Sequence, residues 1–185
     1  VSGAVGIGSA SSQTHSHTTG SGDNRGMIAC IIAEDSGGAP AVPDSVTYNS
    51  VGMTQEATAF RDNVRVTLFS LINPASGSNN CVATFAGAVD TARSVRVITF
   101  THASPVDMAY GGVAATAAAA TSISNAVTTI AGNIVVDGVG INGSPSSEAV
   151  GAGQTTLGTI SQDTMASYEV ASGTSTTMSW SWTGS

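Results

Sequence analysis

Short runs rich in β-branched and other apolar residues recur along all 185 residues. Each run is about 5 to 10 residues long and is cut off by a cluster of Gly, Ser, Asn, Asp or Pro, the spacing of an all-β sandwich. No stretch carries large apolar residues at every third or fourth position, so no amphipathic helix competes. Candidate strands fall at residues 4–10, 13–19, 25–34, 45–49, 53–60, 63–72, 81–86, 93–102, 126–131, 133–141, 154–160, 166–171 and 176–182. That is more than the seven strands of an immunoglobulin constant-type topology.

A period of two is clearest near the C-terminus. There Met178, Trp180 and Trp182 share one face and Thr177, Ser179 and Ser181 the other, as in a half-buried strand. Val64, Val66 and Leu68 lie opposite Arg65 and Thr67. Val95 and Val97 lie opposite Arg96, but the alternation fails at Ile98 and Phe100, which calls for a bulge or for burial of both faces. Residues 27–32 are apolar without alternation and belong in the core. Residues 21–24 are rich in residues tolerant of positive φ, residues 73–80 add Pro74 to such residues, and both read as connections. The alanine-rich stretch 113–122 has no large apolar residue at helical spacing and reads as a packed loop or irregular strand.

Composition narrows the function. Only 9% of residues are charged, none is lysine, and the net charge is −7, which repels nucleic acid and anionic membrane surfaces. No apolar run approaches the roughly 20 residues of a membrane-spanning helix. With 5% aromatics the core has to be built from small aliphatic residues. The chain starts at Val1 without a leader-like segment, as a processed secreted chain would. Cys30 and Cys81 each sit in an apolar run, leaving two readings open: one bridge in an oxidising compartment, or two buried small hydrophobes.

Motifs for chemistry are sparse. Gly138 to Gly143 matches G-x-G-x-x-G after an apolar run, but the following Ser144-Pro145-Ser146-Ser147 opens no helix to hold a pyrophosphate, so the match reads as accidental. His15 and His17 share a strand face and would offer two metal ligands, with His102 the one other histidine; a structural role is the expected one. Glu34, Asp35, Glu56, Glu148 and Glu169 are the carboxylates a glycosidase would use, yet nothing pairs them. Asp23-Asn24, Glu34-Asp35 and Asp90 are candidate calcium ligands, and Asn142-Gly143-Ser144 is a formal glycosylation acceptor. Tyr48, Tyr110, Tyr168, Trp180 and Trp182 would serve a sugar-binding platform or, more often, a core.

Several strand and turn signatures carry a resemblance. They are residues 17–25 leading into an apolar strand, 46–54, 71–77, 153–156 and 177–180. Together they resemble jelly-roll-like β-sandwich domains of phage structural proteins and of secreted or surface-attached bacterial proteins. The resemblance implies an architecture and an exposed location, and it transfers no active site.

These readings combine into one expectation: an all-β, two-sheet antiparallel β-sandwich, jelly-roll-like, as a single domain over residues 1–185. Its expected job is that of a non-enzymatic extracellular subunit that assembles with copies of itself into a surface filament or a virion decoration lattice. Capsid proteins, cell-surface proteins or glycans are further partners; nucleic acid and membrane insertion are not expected, nor is any catalytic, metal or cofactor residue. Residues 1–10, with Val1, Val5 and Ile7, would form a strand exchanged with a neighbour. The alternative is a carbohydrate-binding module, supported by calcium. A hydrolase would need Ser or a carboxylate pair converging with His102.

Overall fold

The computed structural model describes residues 2–7, 11–86, 92–101, 120–158 and 164–184. Val1, Asp90, His102, Tyr110 and residues 113–119 lie outside the described residues. The elements are β1 (Ser2–Ile7), β2 (Ser12–Thr19), β3 (Gly26–Glu34), β4 (Ser45–Tyr48), β5 (Val51–Gly52), β6 (Thr54–Arg61), β7 (Val64–Ile72) and β8 (Gly77–Thr84). They continue with β9 (Ala92–Phe100), β10 (Ser122–Thr128), β11 (Ile134–Gly140), β12 (Ser146–Val150), β13 (Thr155–Thr156), β14 (Thr164–Val170) and β15 (Ser175–Thr183).

These strands form four sheets, every pairing antiparallel. A central sheet has the order β1-β9-β3-β7-β6, and an outer N-terminal sheet the order β2-β8-β4-β5. An inner C-terminal sheet runs β11-β14-β13 and an outer one β10-β15-β12. In the first half of the chain the pairing is nested: β1 with β9, β2 with β8, β3 with β7 and β4 with β5, while β6 extends the margin beyond β7. The innermost pair closes through Asn49 and Ser50, at φ 48° and 64°, where a two-residue turn with both φ positive matches the strand twist.

The all-β antiparallel sandwich is present, with four sheets in place of two. The reason lies in β3, which is buried along its full length. Its Met27, Ala29, Ile31 and Ala33 meet Val46, Tyr48, Cys81 and Ala83 of the outer N-terminal sheet. Its Ile28, Cys30 and Ile32 face the other way, against Ala166, Val136 and Tyr168 of the inner C-terminal sheet and Leu157 just after β13. A third apolar layer, Val139, Ile141, Met165, Trp180 and Trp182, joins the two C-terminal sheets. A sheet covered on both faces needs no polar alternation, and β9 accordingly runs in unbroken register from Ala92 opposite Glu34 to Phe100 opposite Gly26. Burial of both faces, with no bulge, explains the failed alternation at Ile98 and Phe100.

Several strand boundaries differ from expectation: β1 begins at Ser2, and of the run 154–160 only Thr155 and Thr156 form a described strand, β13. Residues 77–80 begin β8 because Gly77 to Asn80 pair with Thr19 to Ser16, and tertiary pairing overrides the weak β preference of Asn. β10 starts at Ser122 and ends at Thr128, so Ile130 and Ala131 belong to the turn into β11. The short β5 and the polar β12 left no readable apolar pattern.

Candidate functional site

β11 carries the Gly138-Val139-Gly140 sequence across the central sheet. A Cβ on Gly138 would overlap the Cys30 sulfur and come within 2.9 Å of a Val66 methyl; one on Gly140 would overlap a Val64 methyl. The glycines therefore let β11 approach β3 and β7 closely, and this packing accounts for the motif that sequence matching assigns to dinucleotides. Strand alternation then sends the intervening residues the opposite way: Val139 joins the layer with Met165 and Trp180, and Asp137 projects into the same layer.

There the half-buried Asp137 is the centre of a polar network. Its Oδ1 accepts a hydrogen bond from Ser167 Oγ at 2.5 Å and another from the Ser167 backbone N–H at 3.0 Å; its Oδ2 accepts from Trp180 Nε1 at 2.9 Å. Gln154 Nε2 donates to Ser167 Oγ at 2.7 Å, and Gln154 Oε1 accepts from the Ser179 N–H at 2.7 Å. Burial pushes the Asp137 carboxyl above its ordinary range, against the opposing pull of the donors from Ser167 and Trp180. Ser167 is fully buried, so its hydroxyl faces only its neighbours and not a substrate arriving from solvent.

The local sequence dictates this placement. Gln154 ends a turn closed by its N–H on Gly151 O at 3.3 Å, with Gly153 at φ 87°, a conformation that favours glycine. The turn is pinned to β15 by the Gly151 N–H on Ser179 O at 2.9 Å. Glycine at 151 leaves room for this arrangement, because a Cβ would overlap Ser179 Oγ and lie 2.6 Å from Gln154 Oε1, displacing both side chains. Sequence reasoning passed over Asp137, Gln154 and Ser167. The readable signal was a lone aspartate inside the apolar run 134–141.

Asp137 and Trp180 also line a small open cleft of about 70 Å³ where the margins of three sheets meet at β6, β10 and β11. Its walls are largely aliphatic, with Ala59, Leu68, Ile123, Val127 and Met178 among them.

The other candidate residues are dispersed. His15 and His17 both point inward from β2, and His17 Nε2 bonds Thr99 Oγ1 at 3.0 Å while its ring meets Tyr48 edge-on. Burial lowers the pKa of His17 to about 4. Among the described residues no group of three His, Cys, Asp or Glu could hold a metal ion. Cys30 and Cys81 are free and buried in different layers, on opposite sides of the central sheet, so the bridge left open by the sequence is absent. Burial pushes both thiols up to about 12.

Tyr48, Trp180 and Trp182 are core residues, and Tyr168 packs against the second layer. The exposed aromatic among the described residues is Phe60, beneath the Arg65 guanidinium at 4.8 Å. Glu56 accepts from Ser70 Oγ at 2.5 Å, and Asp35 Oδ1 caps the Gly37 N–H at 2.9 Å. Arginines serve as clasps on backbone carbonyls: Arg25 on Pro74 O, Arg65 on Pro40 O, and the buried Arg96 on Leu157 O at 2.8 Å and Thr164 O at 2.7 Å. Val5 and Ile7 lie on β1, which pairs with β9 of its own chain. Among the described residues no helix is long and apolar enough to cross a membrane. Compared with known proteins, the chain matches no family model, no curated protein sequence and no solved structure.

Proposed function

We propose that this chain is a structural subunit that acts outside the cell and assembles with copies of itself, in a surface filament or a virion decoration lattice. We also read its first nine strands as a jelly roll. The nested pairing supports that reading: setting β6 aside, the strands divide into β1-β9-β3-β7 and β2-β8-β4-β5, the order produced by rolling up one long hairpin.

The observation that carries the assembly reading is the contrast between the two margins of the central sheet. β6 has the charged residues Glu56 and Arg61 and a register break between Gln55 and Ala57, devices that discourage pairing with another chain. At the opposite margin β1 (SGAVGI) has no charge and no proline and keeps continuous register on β9 from Ser2 to Ile7. A strand that pairs with β9 in its own chain makes the same ladder when exchanged between copies.

Deletion of residues 1–10 tests this. The expected product is folded monomer that no longer polymerises, read by light scattering and electron microscopy. Assembly at the full-length level by the shortened chain would reject the proposal.

A further inference from the structure

We infer that Ser167 and Gln154 become joined by an intramolecular ester, formed by the protein's own groups with release of ammonia. The inference is independent of the assembly reading, since a monomer would carry the bond equally well.

The arrangement supplies each part the reaction needs. The nucleophile is Ser167 Oγ, fully buried and already donating to Asp137 Oδ1 at 2.5 Å. The base is Asp137, whose half-buried carboxylate takes a proton more readily than one in water. The electrophile is the Gln154 carboxamide. Its Nε2 donates to Ser167 Oγ at 2.7 Å, and one C–N bond of about 1.33 Å places Cδ within about 4 Å of that oxygen, so attack follows a turn of the carboxamide that presents the face of Cδ in place of its N–H. The Gln154 Oε1 accepts the Ser179 N–H at 2.7 Å, a fixed backbone donor aimed at the oxygen on which negative charge builds in a tetrahedral intermediate.

The step balances without a further reagent. Oγ attacks Cδ as the Ser167 proton passes to Asp137. The C–N bond then breaks while the Asp137 carboxyl hands that proton to the departing nitrogen. Ammonia leaves, the carboxylate is regenerated, and Cδ and Oγ share an ester bond. An ester is ordinarily less stable than an amide; escape of ammonia draws the reaction forward, and the protein holds the two groups in contact. Burial limits the access of water to the two atoms that become joined: Ser167 is fully buried and Gln154 is 9% exposed.

The geometry also fits a structural purpose. The bond would close a loop between residues 13 apart and fasten β14 to the turn that Ser179 holds against β15. Cross-links of this kind limit the freedom of the unfolded chain.

Mass spectrometry of the purified full chain, denatured before analysis, tests the inference. The expected mass is one ammonia below that of the sequence, and the peptide map contains a branched peptide linking Gln154 to Ser167. S167A and D137N should both have full mass, with no branched peptide. A wild-type chain at full mass overturns the inference. So does an ammonia loss that persists in S167A, because it arises elsewhere, for example by ring closure at Asn142-Gly143. If either variant fails to fold, the wild-type peptide map decides alone.

Discussion

Individual residues in this protein are selected by what lies directly opposite them. Gly138 and Gly52 are both strand glycines, yet a Cβ at Gly138 meets Cys30 and Val66, whereas at Gly52 nothing lies within 4 Å. Gly138→Ala should therefore destabilise by about 1–3 kcal/mol through overpacking. Gly52→Ala should stay within about 0.5 kcal/mol. Urea midpoints measured side by side check both.

His17 makes a pH-dependent contribution of the same local origin. Its folded pKa, about 4, lies below the ordinary 6.5, so between those values the unfolded chain binds a proton that the folded one refuses. Stability should then fall as pH drops from about 6.5 toward 4. His15, lowered by burial and by Arg96, acts in the same direction. Asp137, raised by burial, opposes the trend, since its folded state holds a proton longer as pH rises from the ordinary carboxylate range. H17Q should flatten the slope of unfolding free energy between pH 5 and 6.5. An unchanged slope would place the pH response elsewhere.

At the level of elements, the joins between sheets combine aliphatic contact with a few well-placed donors. Arg96 on β9 is the clearest case, because its guanidinium reaches across the middle layer to the carbonyls of Leu157 and Thr164, on either side of residues 159–163. R96M keeps much of the volume but strands both carbonyls in an apolar layer. The expected loss is about 1–3 kcal/mol, and hydrogen exchange in β14 should accelerate more than in β2. Uniform exchange changes would argue against a local clasp. β11 and β15 act together in the same way, since Asp137 and Trp180 link neighbouring sheets through one hydrogen bond.

The whole molecule is a serial stack in which the central sheet belongs to two apolar layers at once. Both tryptophans lie on β15 in the outer C-terminal sheet, so their fluorescence reports one end of the stack, while far-ultraviolet circular dichroism reports all four sheets. If the middle layer couples the halves, the two signals should show one coincident urea transition. A fluorescence transition at clearly lower urea would mean that the C-terminal sheets separate first.

The sequence determined the class of fold. A period of two in β15 and β7, the unbroken apolar run of β3 and the turn clusters made an antiparallel β structure readable, because side-chain alternation and turn chemistry are local properties. It also made the core role of Trp180 and Trp182 visible. The number of sheets was settled by tertiary structure, since a strand such as β9 shows only that both faces are buried, not which layer covers each. The polar network was likewise hidden: Asp137, Gln154 and Ser167 come from β11, a glycine turn and β14, with nothing in their spacing to relate them. Local pattern is encoded by neighbours along the chain, whereas convergence of distant side chains depends on how the sheets stack, and that is a property of the packed whole.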